Sequence, residues 1–380
     1  MIAQKAAEIS PFYAMEILEE ANKLEQEGID IIHLEIGEPD FDTPEPVKIS
    51  AKNELDMGNT HYTHSLGVNE LREEIAKFYK NRYNVKIKID NILVTNGTSP
   101  CLFLAFAGLL ETGDEVLLSN PSYPCYKNII KFLGGNLKYV NIYEDENFQF
   151  PVEKLKKLIS KKTKAILINS PANPTGTILD KENLEEIASL GKLIVSDEIY
   201  HGLTYEGEEH SILEFTDNAI VLNGFSKLYA MTGWRLGYII CPDWLIRPLQ
   251  KIQQNFFISA NSFVQKAGIA ALRECKTHVE RMREIYNKRR LLIISKLKDM
   301  GFTIKSHPNG AFYVFLNVKK YTDNSLEFAK KILHNAHVGV TPGIDFGSNG
   351  EGFIRFSYAN SIDNINIAME RLESFFDKLQ

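Results

Sequence analysis

Short apolar runs alternate with stretches of helical periodicity through the first two thirds of the chain. Runs of four to eight apolar residues that end at a turn signal are typical of strands buried on both faces of a sheet. The runs predict strands at residues 92–95, 115–119, 137–140, 165–169, 193–196 and 219–222. Apolar residues three and four apart predict helices between them, at residues 100–110, 128–132, 152–159 and 181–190. This order predicts an α/β fold whose mostly parallel sheet is covered by helices.

The last third of the chain has a different pattern. One long helical stretch is predicted at residues 262–300, followed by a helix at 325–336, a strand at 352–358 and a closing helix at 363–379. These elements predict a smaller α+β domain, and a helix at 14–27 is expected to pack on it. We therefore predict a large domain over residues 36–284 and a small domain formed by residues 1–35 and 285–380.

Composition limits the possible partners. The 380 residues are 44% hydrophobic and 24% charged, which is ordinary for a globular enzyme. A net charge of −6, with lysines scattered among glutamates, argues against binding to nucleic acid or to an anionic membrane. No secretion signal or membrane-spanning run is apparent, so a cytoplasmic protein is expected. The nine histidines and four cysteines do not form a set with metal-ligand spacing, and no metal site is predicted.

Lys227 is the first candidate for chemistry, because Phe225, Leu228, Met231 and Trp234 surround it in the sequence. A lysine among apolar side chains loses its proton by desolvation or is held in a covalent bond, and either state suits carbonyl chemistry through a Schiff base. The alternative is a lysine whose stem lies on apolar surface while its ammonium reaches solvent.

A candidate anion site lies at residues 95–102. The predicted strand at 92–95 is followed by a turn at Gly97, by Ser99 as a helix N-cap and by Pro100 at the first helical position. The helix that follows is apolar on every side, so it should be buried. Free amide groups and the helix dipole at its N-terminus would attract an anion. Plain helix capping explains the same pattern.

Asp197 follows the predicted strand at 193–196, at the edge where open α/β sheets bind ligands. A carboxylate there could pair with the pyridine nitrogen of a bound cofactor and keep it protonated. Tyr200, one turn later, could donate to a ring hydroxyl. The alternative is that Asp197 only caps a helix.

Two further side chains complete the set. The turn at 170–176 contains two prolines and a glycine that would hold the amide of Asn173 rigidly. Arg355 lies inside an otherwise apolar strand, where a guanidinium could grip a carboxylate with two hydrogen bonds. Each has an ordinary alternative: Asn173 could be part of a simple turn, and Arg355 could form a structural salt bridge.

Together these stretches resemble the class I/II aminotransferases, which depend on pyridoxal 5′-phosphate (PLP), have fold type I and include the prokaryotic aspartate aminotransferases. The resemblance runs nearly end to end. Its motifs are IGEPDF at 36–41, YTHSLG at 62–67, NPTG at 173–176, SDEIY at 196–200, SK at 226–227 and Arg355.

The resemblance implies a role for each candidate residue. Lys227 would form the Schiff base with PLP and move the proton of the substrate α-carbon. Asp197 would pair with the pyridine nitrogen, and Tyr200 and Asn173 with the ring oxygen. The remaining cofactor-binding residues would be Tyr123, stacked on the ring, and Gly97, Thr98, Ser99, Ser226 and Arg235 at the phosphate.

The substrate carboxylate would be bound by Arg355, Asn173 and the backbone of Gly37. Tyr62 would reach the phosphate in the neighbouring subunit, which implies a homodimer.

Two positions depart from the family pattern. Gly224 stands where many relatives have a phosphate-binding serine, so one phosphate contact could be missing. Ser99 stands at a turn where some aspartate-using relatives have a basic residue, so aspartate is not expected as the main amino donor. Phe12, Tyr13 and His64 are expected to shape the side-chain pocket and to favour a neutral or aromatic donor.

The leading hypothesis is an enzyme that transfers the amino group of an L-amino acid to a 2-oxo acid, with 2-oxoglutarate as the expected acceptor. A PLP-dependent carbon–sulfur β-lyase of the same fold is the alternative that the motifs leave open. A non-catalytic PLP-sensing regulator is a more remote alternative. Such proteins carry a DNA-binding domain ahead of this fold, whereas the family pattern here starts within the first forty residues.

Overall fold

The computed structural model describes residues 2–379, and residues 1 and 380, which the small-domain prediction includes, lie outside this range. Helices occupy much of the chain. They are α1 (Gln4–Ala7), α2 (Tyr13–Gln26), α3 (Glu45–Asp56), α4 (Asn69–Tyr83), α5 (Thr98–Leu109), α6 (Pro124–Phe132), α7 (Val152–Leu158), α8 (Lys181–Ser189), α9 (Asp243–Phe256), α10 (Ser262–Glu274), α11 (Lys276–Asp299), α12 (Ser325–Ala336) and α13 (Ile362–Asp377).

The strands are β1 (Ile32–His33), β2 (Ile92–Thr95), β3 (Glu115–Asn120), β4 (Asn136–Asn141), β5 (Thr163–Asn169), β6 (Leu193–Asp197), β7 (Ala219–Gly224), β8 (Gly237–Ile240), β9 (Tyr313–Asn317), β10 (Val338–Gly339), β11 (Thr341–Pro342) and β12 (Phe353–Ser357). Seven of them form the central sheet in the order β2-β8-β7-β6-β5-β3-β4. Within it β8 is antiparallel to both of its neighbours, and the remaining pairs are parallel. The predicted α/β fold is thereby confirmed.

All six predicted strands of this sheet are present, and β8 was not predicted. The prediction of one long helix over residues 262–300 is wrong. This stretch forms two helices, α10 and α11, which are separated at Cys275. Cys275 adopts φ −99° and ψ 16°, outside regular helical geometry, although neither glycine nor proline marks the break.

Alternating side chains on the central strands enter two separate apolar clusters. On β6, Leu193 and Val195 belong to one cluster and Ile194 to the other, as expected when successive side chains point to opposite faces. Helices α5 and α9 cover the first face, and α4 and α10 cover the second. Burial on both faces explains why the strands are nearly continuous apolar runs.

The tail forms a separate antiparallel sheet in the order β11-β12-β9, and β1 pairs with β10 in parallel. Helix α2 contacts α12 and β11, so the predicted packing of the N-terminal helix on the tail is confirmed. The domain boundaries given above stay a prediction. No helix among residues 2–379 is long and apolar enough to cross a membrane.

Adjacent parallel strands end side by side. Asn169 at the end of β5 is paired in register with Asp197 at the end of β6, and Asp197 with Leu222 on β7. On the tail sheet, β12 pairs Arg355 with Thr341 on one side and Phe315 on the other. The carboxyl edge of the central sheet and the strand carrying Arg355 both contribute to one cavity.

Candidate active site

A cavity of about 310 Å³ collects most of the residues that the sequence singled out. The predicted residues that line it are Gly37, Thr98, Ser99, Tyr123, Asn173, Asp197, Tyr200, Ser226, Lys227, Arg235 and Arg355. They come from β6, β12, the start of α5 and the loops after β1, β3, β5, β6 and β7. A concave site with a few convergent polar groups is the usual form of a small-molecule site.

Lys227 lies within this cavity. Its Nζ donates a 2.6 Å hydrogen bond to the carbonyl oxygen of Gly37 and lies 6.0 Å from the centre of the Phe312 ring. Burial lowers the pKa of Lys227 to about 8, because desolvation disfavours the charged ammonium. The ammonium therefore does not extend along the outer surface, and the amine is easier to deprotonate than that of an ordinary lysine.

Asp197 is buried as the last residue of β6. Its Oδ2 accepts a 2.7 Å hydrogen bond from the hydroxyl of Tyr126, and its Oδ1 accepts one from the backbone of Ile199 at 3.2 Å. Burial raises the pKa of Asp197 to about 6. A turn, not a helix, follows this strand, so the interpretation of Asp197 as a helix cap is wrong.

Tyr200 and Asn173 line the same cavity as this carboxylate. The hydroxyls of Tyr200 and Tyr313 share a 2.7 Å hydrogen bond. The backbone N–H of Asn173 donates to Oδ1 of Asn169 at 2.9 Å, which fixes the turn that carries the Asn173 amide. That amide is held in place as its turn sequence predicts.

Arg355 is 3% exposed, and within residues 2–379 no carboxylate lies within 4.0 Å of its guanidinium. Its Nη1 donates to Oδ1 of Asn173 at 2.9 Å, and its Nη2 donates to the carbonyl of Glu35 at 2.6 Å and to Oγ1 of Thr341 at 3.0 Å. The structural salt bridge considered for Arg355 is not formed in the described chain. A buried cation held only by neutral groups is well placed to receive an anion.

The candidate anion site differs in detail from the prediction. Helix α5 begins at Thr98, and Gly97 with φ +101° occupies its N-cap, so Ser99 lies inside the first turn and is not the cap. A Cβ on Gly97 would lie 2.6 Å from Nη2 of Arg235, and the φ of +101° is a backbone conformation that residues other than glycine rarely adopt. The guanidinium of Arg235 therefore lies beside the N-terminus of α5, and two positive features face the same end of the cavity.

Gly224 also has a physical reason to be glycine. A Cβ at this position would lie 2.9 Å from the carbonyl oxygen of Leu236 and 3.0 Å from Oγ1 of Thr98. A serine could not be accommodated without displacing the backbone. The hydroxyl of Thr98 already occupies the adjacent space.

Some predicted residues lie elsewhere. Tyr62 is 85% exposed and does not line the cavity. Of the three residues expected to shape the side-chain pocket, Phe12 lines the cavity, whereas Tyr13 and His64 are not among the lining residues.

Sequence reasoning missed two cavity residues that contact the predicted ones. Tyr126 lies in the first turn of α6, and its ring packs edge-on against that of Tyr123, the N-cap residue, with centroids 5.3 Å apart. The helix predicted here begins only at residue 128, so periodicity did not point to Tyr126. Tyr313 lies on β9, one strand away from Arg355, and its ring centre is 4.4 Å from the Arg355 guanidinium carbon. Only the pairing of β9 with β12 reveals that contact.

Comparison with known families agrees with this geometry. The sequence profile of the family described as aminotransferase class I and II matches residues 29–372. The chain belongs to this family. Its members depend on PLP, so the chain is an enzyme that transfers amino groups with this cofactor.

Three relatives illustrate the range within the family. A (5-formylfuran-3-yl)methyl phosphate transaminase of Methanocaldococcus jannaschii is 46% identical, with 100% of both chains covered. A probable aspartate aminotransferase of the same organism is 42% identical over 99% of this chain and 100% of the relative. An aromatic-amino-acid aminotransferase of Thermococcus litoralis is 39% identical over 91% and 92%.

Solved aminotransferase structures have the same fold. A Methanococcus jannaschii protein, described as similar in its active site to kynurenine aminotransferases, is 45% identical with a TM-score of 0.92, covering 99% of this chain and 100% of the other. The Thermus thermophilus aspartate aminotransferase with maleate is 34% identical with a TM-score of 0.94, covering 98% and 99%. Fold type I is confirmed, and with relatives named as aminotransferases the β-lyase alternative is not favoured.

Proposed function

We propose that this aminotransferase takes the amino group of a neutral or aromatic L-amino acid and passes it to a 2-oxo acid, with 2-oxoglutarate as the expected acceptor. The observation that carries the proposal is the position of the Lys227 amine. It lies in one cavity with a buried carboxylate, Asp197, and a buried guanidinium, Arg355, that lacks a carboxylate partner. A nucleophilic amine, a partner for a pyridine nitrogen and a binding group for a carboxylate are the three functions that this reaction needs.

The residues present fit PLP. The cavity offers a carboxylate for the pyridine nitrogen, hydroxyl and amide groups for the ring oxygen, an aromatic ring for stacking, and a helix N-terminus with an arginine for the phosphate. When bound, PLP supplies an electron sink for the bonds at the substrate α-carbon. The residues assigned to hold it are Asp197, Tyr200, Asn173, Tyr123, Gly97, Thr98, Ser99, Ser226 and Arg235.

Lys227 is assigned the proton transfer. Its pKa of about 8 leaves part of the amine neutral near physiological pH, and the carbonyl of Gly37 holds Nζ in a fixed position. A neutral Nζ can accept the proton of the substrate α-carbon and later return one. Asp197, as a carboxylate, would keep a proton on the pyridine nitrogen of bound PLP.

Arg355 is assigned the substrate carboxylate, which both the amino acid and the 2-oxo acid carry. Asn173 and the two acceptors on Nη2 fix the guanidinium plane, so its orientation is set before a substrate arrives. The side chain of Asn173 and the backbone of Gly37 are the assigned helpers.

A neutral or aromatic donor is supported by the remaining lining. Phe12, Met15, Ile36 and Leu102 contribute apolar surface to the cavity. Ser99 contributes a neutral hydroxyl at the turn where a basic residue would favour a donor with a second carboxylate.

A homodimer is part of the proposal, since Tyr62 is exposed and is assigned to the phosphate site of a second copy. Mixing two defective chains tests it. If Tyr62→Ala and Lys227→Ala chains exchange subunits, the mixed dimer has one site with an intact Lys227 and a Tyr62 from the other chain. Activity above the sum of the separate variants supports this role, whereas strictly additive activity contradicts it. The cytoplasmic location stays a prediction.

The test of the proposed reaction is an amino-transfer assay on the PLP-loaded enzyme. Individual L-amino acids are supplied with 2-oxoglutarate, and glutamate and the new 2-oxo acid are quantified. Formation of both products in equal amounts supports the proposal. Release of ammonia and pyruvate in the absence of a 2-oxo acid acceptor would indicate the β-lyase reaction instead.

A further inference from the structure

The residue at the N-cap position of helix α2 has no side chain that can cap the helix. Phe12 occupies the N-cap position, where Ser, Thr, Asp or Asn is usual, and it offers no side-chain hydrogen bond. The first N–H groups of a helix have no partner within the helix, and leaving them buried without one is costly. Another group must satisfy them.

Asp345 supplies that group from the far end of the chain. Its Oδ1 accepts from the backbone N–H of Tyr13 and its Oδ2 from that of Ala14, both at 3.2 Å. The carboxylate is 0% exposed. Its charge also suits the positive end of the helix dipole. A carboxylate 331 residues away thus caps α2 in place of the local side chain.

The segment that carries Asp345 is itself fixed. A Cβ on Gly343 would lie 2.0 Å from the carbonyl oxygen of Gly350, so the turn accepts only glycine there. The N–H of Ile344 donates to Oγ of Ser325 at 3.0 Å, which joins the turn to α12. Asp345 therefore holds α2 against a rigid support.

Phe12 lies between two such attachments. On its N-terminal side, the backbone of Ser10 exchanges two 3.3 Å hydrogen bonds with the side-chain amide of Asn128 on α6. On its C-terminal side, the carboxylate of Asp345 accepts the hydrogen bonds that cap α2. Between them the Phe12 ring lies edge-on to Tyr123, with centroids 6.2 Å apart, and lines the cavity together with Met15.

We propose that Asp345 is a positioning residue for donor specificity: by capping α2 it allows an aromatic residue to occupy the N-cap position and holds Phe12 and Met15 as the apolar wall that contacts the donor side chain. This inference rests on the proposed function, because it concerns the donor that the same cavity accepts. A locally capped helix would need a small polar residue at position 12 and would lose the aromatic wall.

The test compares Asp345→Ala and Asp345→Asn with the wild-type PLP-loaded enzyme. The first readout is amide hydrogen exchange at residues 13–17. The second is the KM and kcat for phenylalanine, which reaches the wall, and for alanine, which is too short to do so. Asp345→Ala should speed the exchange and raise the KM for phenylalanine about fivefold, the factor expected for loss of one helix cap. The KM for alanine should change by less than about twofold.

Asp345→Asn keeps one acceptor oxygen and the side-chain volume, so it should show an intermediate effect on both readouts. Ser361→Ala is the matched control, because Oγ of Ser361 caps α13 through the N–H of Asn364 at 3.0 Å and does not line the cavity. Ser361→Ala should remove a helix cap without changing the KM for phenylalanine or the KM for alanine.

The possible outcomes separate the two claims. Unchanged exchange at residues 13–17 in a folded Asp345→Ala protein would overturn the capping role. Faster exchange with equal effects on phenylalanine and alanine would overturn the specificity role. If the wild-type enzyme uses neither amino acid, the proposed donor class is wrong, and hydrogen exchange still decides whether Asp345 caps α2.

Discussion

The side-chain oxygen of Asn173 accepts a 2.9 Å hydrogen bond from Nη1 of Arg355, although the two residues are 182 positions apart. Asn173 belongs to the turn after β5 on the central sheet, and Arg355 belongs to β12 on the tail sheet. This bond fixes the plane of a buried cation that has no carboxylate partner in the described chain. The geometry is that of a preformed receptor for a substrate carboxylate.

Replacing Arg355 by glutamine should weaken binding of both substrates. Loss of charge-assisted hydrogen bonds to a carboxylate should raise the KM for the amino acid and for 2-oxoglutarate on the order of 10- to 100-fold. Steady-state kinetics with each substrate varied in turn measures the effect. Arg273→Gln, which removes surface ion pairs to Glu70 and Glu74, is the control and should leave both KM values near wild type. Unchanged KM values in Arg355→Gln would refute the assignment.

Removing the hydroxyl of Tyr126 should affect the enzyme through Asp197. The 2.7 Å hydrogen bond lowers the pKa of this carboxyl group, so its loss in Tyr126→Phe should raise that pKa further. The carboxylate exists above its pKa, and the acid limb of the kcat/KM profile should therefore move to higher pH. A decrease in kcat/KM of about tenfold is expected at neutral pH.

Tyr139→Phe serves as its control, since Tyr139 is a partly exposed side chain on β4. A profile identical to wild type in both variants would show that Tyr126 does not influence Asp197.

The lowered pKa of Lys227 predicts how the apoenzyme takes up its cofactor. Only the neutral amine attacks a carbonyl, and burial lowers the pKa of this amine to about 8. The rate of PLP capture should rise about tenfold per pH unit below that value and level off above it. Stopped-flow absorbance of apoenzyme mixed with PLP measures the rate. A capture rate that continues to rise beyond pH 10 would indicate that burial does not lower the pKa of Lys227.

His33 should make stability depend on pH above neutrality. The hydrogen bond from Nδ1 to Oε1 of Glu35, at 2.6 Å, raises the pKa of His33 to about 9. Because this pKa is higher in the folded state, protonation of His33 stabilises the fold. The contribution is complete at pH values below the unfolded-state pKa near 6.5 and is lost as pH rises through about 9. His33→Gln should therefore lower the free energy of unfolding by roughly 1–3 kcal/mol at pH 6 and by much less at pH 10.

Denaturant unfolding of both proteins at the two pH values measures the difference. His334→Gln is the control, because it removes a more exposed pair with Glu20 and should change stability little. A destabilisation in His33→Gln that is the same at both pH values would contradict the assignment.

Local sequence patterns predicted the elements that carry the site. The strand at 92–95 was predicted with its observed bounds, and Asp197 was predicted at the carboxyl edge of the sheet, because apolar runs and turn signals are local features. The same patterns placed Lys227, Asn173 and Arg355 on segments that meet in one cavity.

Contacts between distant segments were not predictable in this way. Asp345 caps a helix whose sequence contains no sign of its partner, and the direction of β8 depends on its pairing with β2 and β7. The break between α10 and α11 was missed because Cys275 carries no helix-breaking signal. These features depend on tertiary packing, which periodicity does not encode.

The most direct test of the central claim, amino-group transfer through Lys227, follows the visible absorption of the PLP-loaded enzyme. A single L-amino acid is added, followed by 2-oxoglutarate, with Lys227→Ala treated in parallel. We expect phenylalanine or another neutral donor to bleach the cofactor band of the wild type, 2-oxoglutarate to restore it, and Lys227→Ala not to cycle. A Lys227→Ala protein that cycles at the wild-type rate would contradict the role of Lys227 in amino-group transfer.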